Sequence, residues 1–73
     1  MMPTDFTEEI VTRFTYHSPK GDQPERYVKL RKKAKELAIL IGELTPASNE
    51  QHHALHYLGL VVMCANAAIA RRE

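Results

Sequence analysis

Leu44-Thr-Pro-Ala-Ser-Asn-Glu-Gln51 decides the fold, because it both stops one long helix and starts another. The residue before a proline is pushed out of the helical region, so Thr45-Pro46 terminates whatever precedes it. Ser48 and Gln51 have the S-x-x-Q spacing of a capping box, in which the serine hydroxyl takes up an orphan amide of the first turn. Upstream, Tyr27, Leu30, Ala34, Leu37, Ile41 and Leu44 recur at spacings of three and four, and downstream Leu55, Leu58, Val62, Ala65 and Ile69 do the same. Two apolar seams on either side of one short break predict a helical hairpin.

Further upstream, Pro24 suits a first helical turn, with Asp22 or Gln23 able to cap it. Ser18-Pro19 and Gly21-Asp22 are turn-forming pairs. Asp5 and Glu8, spaced as N-cap and N3, precede Phe6, Ile10 and Phe14 and mark a short first helix. The expected organisation is one all-α domain over residues 1–73: a helix at about 5–14, a loop at 15–23, a helix at about 24–44 and a helix at about 49–72. A second stripe on the last helix, Tyr57, Val61, Cys64 and Ala68, widened by Leu60 and Met63, exceeds what one partner helix covers.

A 73-residue chain buries only about 60% of the surface its unfolded form exposes, so its private core is marginal. Disulfides, a metal or self-association usually supplement such a core. Cys64 is the only cysteine, which excludes an internal disulfide, and the surplus apolar face favours a homo-oligomer. The chain carries a net charge of +1, which gives no reason to wrap long nucleic acid. Its distribution is uneven: Lys29, Arg31, Lys32, Lys33 and Lys35 follow one another with no acid between, whereas the first ten residues hold Asp5, Glu8 and Glu9 and no cation. No uninterrupted apolar run approaches a membrane span and the start lacks a leader pattern, so a soluble, cytoplasmic protein is expected.

Chemistry concentrates between Arg13 and Pro24 and in the helix that follows. Tyr16 and His17 offer planar rings, Lys20 a mobile ammonium, Lys33 a further cation and Arg31 a guanidinium that grips phosphate bidentately. Aromatic faces beside cations hold a nucleobase and its phosphate, although Phe14 and Tyr16 could equally plug the end of the hairpin. His52, His53 and His56 lack the further ligands of a tetrahedral metal site and read as a polar helix face, so no metal or cofactor is expected. Cys64, amid apolar neighbours, reads as a small buried hydrophobe. Arg71 and Arg72 complement the C-terminal dipole of the last helix or, gathered by symmetry, a phosphate. No glycine-rich phosphate loop, nucleophile triad or paired catalytic carboxylates occur, so no enzyme is expected. A small helical DNA- or RNA-binding regulator that uses the basic helix 24–44 is the alternative, and a helical adaptor a third.

Phe14-Thr-Tyr-His-Ser-Pro-Lys-Gly-Asp-Gln-Pro-Glu-Arg-Tyr27, Arg31 with Ala34-Lys-Glu-Leu-Ala38, and Ala65-Asn-Ala-Ala-Ile-Ala-Arg71 together resemble the small phage anti-CBASS sponge proteins of the second type. The resemblance runs from Arg13 to Glu73. It implies a helical homohexamer that sequesters cyclic di- and trinucleotide second messengers, such as cyclic GMP-AMP, in the host bacterial cytoplasm, and so silences nucleotide-triggered defence without catalysis. By that resemblance cyclic dinucleotides lie between paired protomers, stacked on Tyr16 and held by Arg31, Lys33 or Lys20, while cyclic trinucleotides occupy separate sites lined by Arg71 or Arg72. The sequence departs from the family in the middle of the last helix, where the family is more charged and carries a bulky aromatic in place of Cys64.

Overall fold

The computed structural model describes residues 6–73 and contains α1 (Phe6–Phe14), α2 (Gln23–Leu44) and α3 (Asn49–Arg72). No strand occurs among the described residues. The expected Asp5 cap of α1 lies outside them. The packing is dominated by α2 against α3, the antiparallel pair joined at residues 45–48.

The break between these helices works as the residue types require. Thr45 is extended (φ −123°, ψ 150°), as a residue before proline must be, and its amide closes the last turn on Ile41 O at 3.1 Å. The Ser48 hydroxyl accepts from the Gln51 amide at 3.1 Å. Only half of a capping box forms, however. The Gln51 side chain reaches across the turn and donates to Thr45 O and Thr45 Oγ1, both at 3.1 Å. The connection is thereby tied from both helices.

The seam is shifted by one residue from its expected course in two places. Half-buried along the seam are Tyr27, Leu30, Ala34, Ala38 and Ile41 on α2, and Ala54, Leu58, Val62, Ala65 and Ile69 on α3. Leu37 and Leu55, expected in the seam, are 46% and 54% exposed, and Leu44, its expected last residue, is 73% exposed. Ala38 and Ala54 take the places of Leu37 and Leu55 because small residues let two helix backbones come close, which pushes each neighbouring leucine outward. Cys64 is exposed rather than buried, since Val62 and Ala65 face α2 and put it on the outer stripe with Tyr57, Val61 and Ala68, all exposed.

None of the described apolar side chains is fully buried. The radius of gyration is 15.4 Å, against about 11 Å for a compact chain of this length. By length and composition alone α3 is apolar enough to cross a membrane, with a mean hydropathy of 1.4. Counting uninterrupted apolar runs does not reveal this, because the apolarity is spread over two stripes. In the hairpin one of those stripes lies against α2.

The one buried residue among those described is polar. Gln23, 3% exposed, starts α2 one residue earlier than expected, and its side chain does not cap the helix. Its Oε1 accepts from the Lys20 amide at 3.1 Å, and its Nε2 donates to Ile69 O at 3.2 Å and Glu73 Oε1 at 3.1 Å. Asp22 makes no cap bond either, pairing instead with Arg26 at 3.2 Å. Ahead of them the Gln23 amide donates to Lys20 O across a tight turn in which Gly21 has φ +59°, a conformation that a Cβ would strain.

Candidate ligand-binding groove

The open end of the hairpin, opposite the 45–48 turn, is where the start of α2, the end of α3 and the 15–22 loop meet. Arg26 forks onto the Glu73 carboxylate through Nη1 (2.8 Å to Oε2) and Nη2, and Lys20 Nζ donates to Glu73 O at 3.2 Å. The Arg26 guanidinium, with help from the Gln23 amide, holds the Glu73 carboxyl down at about 2, while the same pairing pushes Arg26 up. Gln23, Arg26 and Glu73 thus form a clasp that fixes the loop against the end of α3.

Beside the clasp lies a groove of about 640 Å³, within the range of roughly 300–1,000 Å³ common for small-molecule sites. Arg13, Thr15, Tyr16 and His17 form its loop side, Tyr27 and Arg31 its α2 wall, and Met63, Asn66, Ala67, Ala70 and Arg71 its α3 wall. Tyr27 and Arg31 share that wall because they are four apart on one helix, and Ala67 and Ala70 leave room because their side chains end at Cβ.

Tyr16 is 82% exposed and presents its ring to the opening. His17 is anchored: its Nε2 lies 2.9 Å from Thr12 O, and since a carbonyl can only accept, Nε2 carries the proton and Nδ1 is left as an acceptor in the neutral ring. Thr15 spends its hydroxyl on Val11 O. Arg13 is engaged by Glu9 at 2.6 Å. Among the described residues, the guanidinium groups of Arg31 and Arg71 have no hydrogen-bond or ion-pair partner, so two cations face the groove with no protein counter-charge.

The structure therefore brings together Tyr16, His17, Arg31 and Arg71 and separates the other expected site residues. Lys20 is drawn to Glu73 in the clasp. Lys33 lies 3.5 Å from Glu36 and lines a different hollow, with Arg26, Lys29, Leu30 and Ile69. Arg72 pairs with Glu9 at 2.8 Å and holds α1 to the hairpin; the hydrogen bonds from Arg13 and then Arg72 depress the Glu9 carboxyl. Arg71 was expected apart from the Tyr16 site; within one protomer it shares that groove, because the antiparallel hairpin returns the end of α3 to the loop.

Tyr27 and Asn66 line the groove as well, though neither is among the expected site residues. Tyr27 belongs both to the seam and to the groove wall. Asn66 carried a signal, as the one amide in a run of alanines on an apolar helix. His52, His53 and His56 lie on exposed first turns of α3, where His53 and His56 flank the Tyr57 ring at 6.3 and 5.7 Å between centroids. No group of three metal-ligating side chains converges among the described residues.

A sequence-family model described as Acb2/Tad1, hairpin domain, matches residues 7–70. No curated protein and no solved structure matches the chain.

Proposed function

This chain belongs to the Acb2/Tad1 hairpin-domain family, the anti-CBASS sponges that sequester cyclic oligonucleotides, and on that premise we propose that the Tyr16 groove is its cyclic-dinucleotide site. The observation that carries the reading is the convergence on one groove of an exposed ring and two guanidinium groups that have no partner among the described residues. A purine stacks on Tyr16, and the phosphates lie against Arg31 and Arg71, which grip them through paired N–H donors. His17, with its free Nδ1, borders the same opening. The family is a ligand-binding one and not a known family of enzymes, so the bound nucleotide is held and not cut.

The unit of function is a homo-oligomer, and by family likeness a hexamer. What supports this is that no described apolar side chain is buried in one protomer, while the outer stripe of α3 (Tyr57, Val61, Cys64, Ala68) is exposed along its length. Stripes of this kind pair with copies of themselves about a symmetry axis. The opening of the groove is then closed by a second protomer, which would also recruit Lys20 or Lys33 if their present partners release them. Cyclic trinucleotides would sit where several copies of Arg71 or Arg72 converge. The expected place of action is the cytoplasm of a bacterial host.

Native mass spectrometry of the full chain, with and without a mixture of cyclic di- and trinucleotides, tests the proposal. It should show one nucleotide-bearing oligomer whose ligand is recovered intact after denaturation. A protein that stays ligand-free across the mixture, or that returns linearised nucleotide, refutes it.

A further inference from the structure

On one wall of the groove, Asn66 stands with its side-chain oxygen, Oδ1, closed off from solvent and without a hydrogen-bond partner among the described residues. Buried amide oxygens are normally paired, and one left unpaired at a groove wall marks an arrangement completed by something else. On the same α3 wall Met63, Ala67 and Ala70 offer no side-chain donor, and the Arg71 guanidinium makes no hydrogen bond to Oδ1. The ring of Tyr16 and the guanidinium groups of Arg31 and Arg71 recognise features shared by all cyclic dinucleotides, a π face and a phosphate. Members of that ligand class differ at their base edges, so discrimination requires a group that reads an edge. Thr15 has committed its hydroxyl to Val11 O; His17 Nδ1 and the Tyr27 hydroxyl each offer a single hydrogen-bonding atom, whereas Asn66, the groove's one amide, offers an acceptor and a donor side by side.

We propose that Asn66 is the base-reading residue of this groove and selects adenine. A carboxamide presents an acceptor and a donor side by side, and adenine presents the complementary donor and acceptor, its N6 amino group beside a ring nitrogen, on either of its two edges. Guanine offers O6 and N7 as two acceptors on one edge and can meet the amide only by its other edge. The amide swings between its resting position and the ligand about χ2, a broad, soft torsion, so Oδ1 gains its missing partner when the base arrives. The inference rests on the cyclic-dinucleotide reading of the groove.

The test is calorimetric titration of the full chain and of Asn66→Leu and Asn66→Ala with cyclic di-AMP and cyclic di-GMP, together with thermal melting of the ligand-free proteins. Leucine keeps the volume and removes the amide; alanine checks that leucine does not simply block the groove. The expected result for both variants is a loss of roughly 5- to 150-fold in cyclic di-AMP affinity, the range for one bidentate base contact, with cyclic di-GMP affinity held within about threefold. The Leu variant should melt no lower than wild type, because it replaces an unpaired buried oxygen by an apolar group of similar size. Equal losses for both nucleotides, unchanged cyclic di-AMP affinity, or a lower melting point for both variants overturns the assignment. If the wild-type chain binds neither nucleotide, the reading of the groove falls with it; if it binds them in a Tyr16-dependent manner that ignores Asn66, only the present inference falls.

Discussion

Replacing Gln23 by alanine should be among the most damaging single changes in this chain. The residue is 3% exposed and makes three side-chain hydrogen bonds, to the Lys20 amide, Ile69 O and Glu73 Oε1. Two of those partners keep other interactions: Glu73 retains Arg26, and Ile69 O belongs to a helix. The Lys20 amide loses its acceptor. Lys20 is exposed, so water can take up its freed amide, and each of the three lost bonds contributes about 0.5–1.5 kcal/mol, so the sum is roughly 2–4 kcal/mol. A domain of this length has about 4–11 kcal/mol of total stability, so the loss is a large fraction of it. At about 4–8 °C per kcal/mol the melting midpoint falls by some 10–25 °C. Differential scanning calorimetry of the wild type and Gln23→Ala at equal protein concentration reads this directly, and equal concentration matters because assembly makes the midpoint concentration-dependent. Because the clasp holds the Tyr16 loop against the end of α3, nucleotide affinity should weaken as well. A midpoint within about 3 °C of wild type, less than 1 kcal/mol by the same conversion, would refute the account of the clasp.

Tyr16→Ala should remove about 1–3 kcal/mol of stacking, with Tyr16→Phe close to wild type, as measured by calorimetric titration with cyclic GMP-AMP; equal effects of the two would show that the hydroxyl and not the ring face is used. Acid should loosen the open end of the hairpin. Glu73, held near 2 when folded, and Glu9, also lowered, ionise more readily in the folded than in the unfolded chain, whose carboxyls titrate near 4.5. Their contribution is full above that value and is lost as the pH falls from about 4.5 towards 2. Glu73→Gln should therefore flatten the decline of melting temperature over that window, and a parallel decline would contradict the assignment. Val61→Lys, on the outer stripe, should shift the protein toward monomer in analytical ultracentrifugation, while the same change at the exposed residue Glu43 should not; an unchanged sedimentation profile for Val61→Lys would exclude that stripe from any interface.

The helices are legible because their punctuation is local. Thr45-Pro46, Ser48 with Gln51, and Pro24 act within a turn of where they stand. The seam is less legible, since the eye follows the largest apolar side chains. Leu37 and Ala38 fit the three-four spacing equally well, as do Ala54 and Leu55, and only the distance between the two backbones decides between them. Gln23 could not have been read correctly at all: its decisive partners are Ile69 and Glu73, 46 and 50 residues away. For the groove, Tyr16, His17 and Arg31 were legible because loop and helix adjoin in sequence. The arrival of Arg71 and Asn66 depends on the antiparallel return of α3, and the diversion of Lys20 to Glu73 O and of Arg72 to Glu9 depends on long-range approaches that the sequence does not show, whereas Lys33 meets Glu36 only three residues on.

The position of the clasp also bears on the order in which the protein comes together. The hairpin turn at 45–48 joins neighbours in sequence, so helix pairing can start there cheaply and zip outward, with the distant contacts of the open end, Lys20 and Arg26 to Glu73 and Glu9 to Arg72, closing last. The groove lies at that last-closing end. It is therefore the part of the hairpin that opens most often in the folded protein, and amide hydrogen exchange should be fastest around Gln23 to Tyr27 and Ile69 to Arg72 and slowest around Ile41 and Leu58. A ligand seated there acts as the final tooth of the zipper, slowing exchange at the open end while leaving the turn end as it was.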